Sequence, residues 1–228
     1  MKYLIACSTL LVAASLLAAD KDDVKSAVQK LGGADNYSWT TTIESSQFTP
    51  GPSHGKTQKD GLVWQDFTFN DNTVEAFAKD GKGAIKTEDG WQSLDDAAKD
   101  DGGGNNFNRF LAMRMRTFKA PAVQAEEIVD KTQDLTKSGD VYKGDLTEEE
   151  AKSLTSFGGR GGAVSSAKGT VKFWIKDGTL TKYQTEIKGS RKNRDGDDVD
   201  FDRTSTIEIK DVGATKLTVP DEAKKKMS

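Results

Sequence analysis

The feature that most constrains this chain is a set of period-two segments joined by tight Asp-Gly turns, with no helical stretch between neighbours. Tyr37, Trp39, Thr41 and Ile43 fall on one face of a strand, and Ser38, Thr40, Thr42 and Glu44 fall on the other. Residues 62–69 and 73–78 read as further strands, and Asp80-Gly81 connects the latter to a fourth around 84–87. Residues 170–176 and 179–188 flank Asp177-Gly178. Asp-Gly suits the two-residue hairpin turn, whose central residues both take positive φ. Parallel neighbours would need crossovers of about a dozen residues or more, so these strands are expected to pair antiparallel.

Helical periodicity frames and interrupts the strands. Val24, Ala27, Val28 and Leu31 lie at i, i+3, i+4 and i+7 of a helix over 20–31, and Gly32-Gly33 supplies its stop. Residues 93–99 give a turn or two of helix before Gly102-Gly103-Gly104 breaks the chain. A helix over 107–118 carries Phe107, Phe110, Leu111, Met115 and Phe118 on one side. Pro121 starts another, with Val123, Ile128, Val129 and Leu135 as its apolar positions. Thr147 with Glu150 forms a capping-box signature opening a short helix through Leu154. Val199, Phe201, Ser205, Ile207 and Ile209 alternate along a late strand interrupted by Arg203. Residues 216–219 read as a last short strand, and Pro220 opens a helical tail. Pro50-Gly51-Pro52 with Gly55 reads as a loop. The sum is one α+β domain over 20–228, with a helical insertion at 93–155 between two groups of about four strands.

The first nineteen residues stand apart. Met1-Lys2 precedes an apolar stretch ending in small residues, and Asp20-Lys21-Asp22-Asp23 follows. That pattern describes a secretory signal peptide, cleaved between Ala19 and Asp20. A retained anchor is the other reading, but about 20 strongly apolar residues are needed to span a bilayer. Leu4-Ile5-Ala6-Cys7 matches a lipobox, although the apolar core follows Cys7 and does not precede it. With cleavage after Ala19, Cys7 leaves with the signal and the product is a soluble periplasmic or otherwise extracytoplasmic monomer without thiols. The net charge of −3 argues against a nucleic-acid partner, which calls for a basic face.

No motif carries covalent chemistry. His54 sits in Pro52-Ser53-His54-Gly55, read as a solvated turn, with no nucleophile motif beside it. The acidic run 193–202 places Asp198 and Thr204 where an EF-hand needs Gly and Glu, so it reads as a hairpin tip. Gly158-Gly159-Arg160-Gly161-Gly162 reads as a flexible loop. No metal site, cofactor or catalytic residue is therefore assigned.

The aromatic residues are more informative. Trp39, Trp64, Trp91 and Trp174, with Phe67, Phe69, Phe77 and Phe173, sit mostly on strands. They describe either an ordinary filled core or a curved sheet with an apolar concave face and a cavity beneath helices. Patterning alone does not separate the two, because both need the same apolar faces.

The order of elements resembles the LolA-type lipoprotein-carrier superfamily: an amphipathic helix, a meander with Tyr37 and Trp39 early, and a central helical insertion. The strands Gly169-Thr170-Val171-Lys172-Phe173-Trp174-Ile175-Lys176-Asp177-Gly178-Thr179-Leu180-Thr181-Lys182-Tyr183 are also similar. So is the close, Ile207-Glu208-Ile209-Lys210-Asp211-Val212-Gly213 and Leu217-Thr218-Val219-Pro220. The resemblance implies a strongly curved antiparallel sheet, an incomplete β-barrel, with helices packed over its concave face. It also implies a non-catalytic envelope protein that binds a lipid or the acyl chains of a lipoprotein, with transient membrane contact allowed. Trp39, Ile43, Trp64 and Phe173 are then expected from the sheet, and Phe110, Leu111 and Met115 from a helical lid. The alternative is an envelope protein–protein interaction module whose half-barrel is filled by its own side chains.

Overall fold

The computed structural model describes residues 8–46, 49–69, 72–99, 106–155, 164–193 and 195–227. The lipobox-like segment through Cys7, the Gly102–Gly104 break and the Gly158–Gly162 loop lie outside the described residues.

An eleven-stranded antiparallel sheet organises the molecule. Helix α1 (Ser8–Gly32) leads into a meander of β1 (Asn36–Ser45), β2 (Ser53–Gln58), β3 (Val63–Phe69), β4 (Asn72–Lys79), β5 (Lys82–Thr87) and β6 (Gly90–Ser93). Helices α2 (Leu94–Lys99), α3 (Asn106–Arg116) and α4 (Pro121–Asp130) follow. Strands β7 (Thr132–Ser138) and β8 (Val141–Leu146), helix α5 (Glu148–Thr155), then β9 (Val164–Lys176), β10 (Thr179–Lys192), β11 (Asp198–Lys210) and α6 (Asp221–Lys226) complete the chain. The strand order is β6-β5-β4-β3-β2-β1-β11-β10-β9-β8-β7. Every neighbour pair is adjacent in sequence except β1–β11, which joins the two meanders from Ser38↔Lys210 to Ser45↔Arg203. Consecutive strands β6 and β7 therefore stand at opposite edges. The chain linking them, α2 through α4, has to cross the sheet, and it does so over one face.

That sheet is curved and open. Strands twist in a fixed hand, and bulges add local bend. Register shifts interrupt β9–β10 between Leu180 and Lys182 and between Ser190 and Arg191. Another interrupts β7–β8 between Gln133 and Thr136, where Asp134 has φ 47°. The Asp-Gly turns behave as expected, with φ of 53° and 77° at Asp80-Gly81 and 52° and 67° at Asp177-Gly178.

Three apolar clusters hold the layers together. Val24, Val28 and Leu31 of α1 and Ala125, Ile128 and Val129 of α4 pack against Tyr37, Trp39, Phe173, Leu180, Tyr183 and Ile207 of the sheet. Leu94 and Ala97 of α2 and Leu111, Ala112 and Met115 of α3 pack on Phe67, Ala76 and Ile85. On the opposite face, Ala223 of α6, Leu217 and Val219 cover Leu62, Trp64, Phe77, Ala84 and Trp91.

Several expectations change. The segment read as a loop around Gly55 is strand β2, and β6 adds a sixth strand before the helices. The insertion over 93–155 is not helical throughout: Leu135 lies on β7 of a β7–β8 hairpin turned at Gly139, φ 61°. Residues 216–219 are not a strand, and their apolar side chains pad α6. Val123, expected on an apolar helix face, is 48% exposed. Thr147 caps α5, with the Glu150 N–H donating to its Oγ1 at 3.2 Å, while its own N–H donates to the Lys131 carbonyl, so the expected capping box is present only in its Thr147 half.

Candidate functional site

The concave rows follow directly from the register. Thr41 pairs with Ile207, which pairs with Tyr183, and Ile43 pairs with Ser205, which pairs with Thr185. Side chains on paired residues share a face. This floor faces Phe110, Met113 and Arg114 of α3, then Thr117, Phe118 and Lys119, and then Pro121, Gln124 and Ile128 of α4. Between floor and helices lies a cavity of about 380 Å³.

Trp39 builds the inner wall. Its ring stacks on Phe118 at 5.9 Å between centroids and 9° between planes. It also lies flat against Gly55, where a Cβ would approach Trp39 Cζ2 to 2.0 Å. Gly55 is thus fixed by the closeness of the indole and not by a turn. Two tyrosines of the floor tie α4 down. The Ala122 N–H donates to the Tyr37 hydroxyl at 3.1 Å, and the Tyr183 hydroxyl donates to Gln124 Oε1 at 2.6 Å. Burial pushes the Tyr37 phenol up to about 12, against the hydrogen bond from Ala122. Burial also raises Tyr183, with the nearby Tyr37 acting the same way.

Polar groups gather at one part of the lining. Gln65 is 1% exposed, and its Oε1 has no hydrogen-bond partner among the described residues. Arg203 donates from Nε to Ser205 Oγ at 3.1 Å. Burial, with the Arg114 charge nearby, pulls Arg203 down to about 10, so it is still cationic at neutral pH. The Arg114 guanidinium lies 5.2 Å from the Phe67 ring centroid and is lowered by burial alone. Lys119 is engaged by both carboxylate oxygens of Glu127, at 2.6 and 2.8 Å.

The residues expected to bind ligand separate into three groups. Trp39, Ile43 and Phe110 line the cavity together. Leu111 and Met115, each 1% exposed, point from α3 into the packing with β4, β5 and α2, so they secure the wall without facing the space. Phe173 sits one strand beyond Tyr183, fully buried in the core beneath α1 and α4. Trp64 lies on the other face of the sheet, where its Nε1 donates to Glu75 Oε2 at 3.3 Å and Lys56 stands over its ring. The alternation of β3 puts Gln65 and Phe67 on the concave face in its place.

Arg114, Gln65, Tyr183 and Arg203 were missed as cavity residues. Arg203 did carry a signal, as a cation breaking the apolar alternation of β11. His54 lies on β2, with Nδ1 3.0 Å from Asp66 Oδ2, and is not part of the cavity. At the acidic run, Asn193 Oδ1 accepts the N–H groups of Asp195 and Asp197 across the β10–β11 connection.

The sequence matches no family model and no curated protein. Among solved structures, LprF from Mycobacterium bovis aligns over 90% of this chain and 98% of its own, with a TM-score of 0.51 and 11% identity. The chain shares its fold with LprF. At that identity the likeness speaks for architecture alone. Among the described residues, no helix is long and apolar enough to cross a membrane.

Proposed function

We propose that this is an exported, non-catalytic protein that holds a lipid or the acyl chain of a lipidated partner in the cell envelope. The observation that carries this reading is the cavity of about 380 Å³ between the concave sheet and α3–α4. Its wall includes Trp39, Ile43, Phe110, Phe118 and Ile128. Small-molecule sites run about 300–1,000 Å³ and are mostly apolar with a few placed polar groups. Burying about 200 Å² of acyl chain at ~25 cal/mol per Å² contributes about 5 kcal/mol before ordering costs.

Export rests on the N-terminal pattern and agrees with how α1 is docked. Asp20 Oδ2 accepts the Lys137 N–H at 3.0 Å, and Lys21 Nζ donates to the carbonyls of Asp130 and Thr132. Among the α1 residues whose burial is described, Val24, Ala27, Val28 and Leu31 are buried, and all four follow Asp20. Cleavage between Ala19 and Asp20 would leave these four contacts intact.

The test is native mass spectrometry of protein purified from a bacterial periplasm, followed by organic extraction. A companion of several hundred daltons that extracts as lipid supports the carrier, and N-terminal sequencing beginning at Asp20 supports export. Protein that stays ligand-free after incubation with lipids favours the interaction module.

A further inference from the structure

The concave rows show where the cavity is shut and where it opens. Along β1 its lining residues are Trp39, Thr41 and Ile43, of which Trp39 is buried and the other two are half-buried. Along β11 they are Ile207, Ser205 and Arg203, again passing from buried to half-buried. One step further inward the same rows continue as Tyr37 and Ile209, which lie in the main core and do not line the space. There α4 is seated directly on the floor, through the hydrogen bond from the Ala122 N–H to the Tyr37 hydroxyl. The cavity is thus a blind channel, closed beside Trp39 and opening past Ile43.

Two rings make the closed end. Phe118, on the segment between α3 and α4, stacks on Trp39, and both line the cavity. The indole rests on Gly55, so close that no Cβ would fit between them. A chain end pressing on the indole therefore meets backbone behind it, and interiors packed this closely yield little. The length available is short. Strand residues rise about 3.3 Å each, so the floor from Trp39 to Ile43 spans roughly 13 Å. At ~30 Å³ per water-sized group, 380 Å³ holds roughly a dozen such groups, room for one chain of moderate length.

We propose that Trp39 and Phe118 are the end wall that sets the length of the single acyl chain this cavity admits, the chain entering past Ile43. Gly55 is the positioning residue that seats this wall. The assignment rests on the acyl-binding reading above and adds to it the class of chain and the residues that select it.

The test is displacement of the fluorophore diphenylhexatriene by saturated fatty acids of eight to eighteen carbons, which share one head group and differ only in length. For wild-type protein each added methylene is expected to lower the displacing concentration about fourfold until the chain meets the wall, and further carbons then change it little. Phe118→Ala should move that plateau to chains about two carbons longer. Phe118→Leu, a milder change to a partly buried side chain, should move it the same way by less. Phe110→Ala, eight residues earlier on the side wall, should weaken every acid by a similar factor and leave the plateau where it is. Displacement that keeps strengthening to eighteen carbons in the wild type, a comparison that needs no variant, overturns the end-wall assignment. So does a plateau that stays in place in both Phe118 variants, or one that Phe110→Ala moves as far as Phe118→Ala does. A wild-type protein that binds neither the fluorophore nor, by native mass spectrometry, any of the acids overturns the acyl-binding reading and this assignment with it.

Discussion

The two halves of the sheet are covered in different ways, and the cavity lies where the coverings meet. The half built from β1 and β7–β11 carries α1 and α4, with Phe173, Leu180 and Tyr183 fully buried beneath them. There α4 is tied to the floor by hydrogen bonds to two sheet tyrosines. The half built from β2–β6 carries α2 and α3 on its concave face and α6 on its convex one. Helix α3 is braced through α2: Arg116 donates to the Leu94 carbonyl at 3.2 Å and pairs with Asp95. One wall of the cavity is thus part of the main core, and the other belongs to a separate small cluster. A binding site at such a seam can be altered from one side with little cost to the other.

Substitutions that hollow out each half should expose this difference. Phe173→Ala is expected to have the largest effect, about 4 kcal/mol of global stability in denaturant unfolding, because the void opens in the core shared by both meanders. Leu111→Ala should cost about 3 kcal/mol in its own cluster, and hydrogen exchange should speed up in α2 and α3 before α4. An unfolding transition for Leu111→Ala that loosens α3 and α4 together would show that the halves are one cooperative unit. Leu111→Asp would break the α2–α3 layer as well as the binding wall, so it does not isolate ligand uptake.

The tyrosine clip gives a pH signature to the α4 side alone. The Tyr37 phenol is raised from its ordinary value of 10.0 to about 12. Below pH 10 the proton is bound in both folded and unfolded chains, and this contribution to stability is fully present. Between pH 10 and 12 the unfolded chain loses its proton first, so stability falls as pH rises, by up to about 3 kcal/mol. Tyr183, also raised, adds in the same direction. Thermal melts across this range should show the loss in wild type and a smaller loss in Tyr37→Phe. An equal loss in the variant would place the alkaline sensitivity elsewhere.

Much of this architecture was legible because a strand's period and an Asp-Gly turn are local properties. Tyr37 to Ile43 and the hairpin at Asp177-Gly178 needed no tertiary information. What stayed hidden depended on partners distant in sequence. Gly55 reads as a loop residue until Trp39 is seen lying across it. The β7–β8 hairpin was masked by Leu135, whose spacing continued the apolar pattern of α4. Alternation in β3 offered two apolar faces, Trp64 on one and Phe67 on the other, because α6 covers the convex side as α3 covers the concave. Period two separates the faces without saying which is concave, so Trp64 reads as a cavity residue until β3 is seen to turn it toward the cluster under α6. For α3 the helical stripe merged two functions: Leu111 and Met115 anchor it, while Phe110 meets the cavity.

Phe110 therefore offers the finest division between anchoring and binding. It shares α3 with Leu111 but lines the cavity and is only half-buried. Phe110 packs against the α2–α3 cluster as a partly buried neighbour and not as one of its buried members, so truncation to Ala should cost only about 1 kcal/mol. The same truncation strips about 60 Å² of apolar contact from a bound chain, worth about 1.5 kcal/mol or roughly tenfold in affinity. Titration of diphenylhexatriene into wild type, Phe110→Ala and Leu111→Ala, each checked by melting temperature, reads both quantities. A Phe110→Ala protein that is nearly as stable as wild type yet binds tenfold more weakly places the α3 wall in the site. Unchanged binding would mean that the chain lies against Trp39 and α4 alone, with α3 a cover that does not touch it.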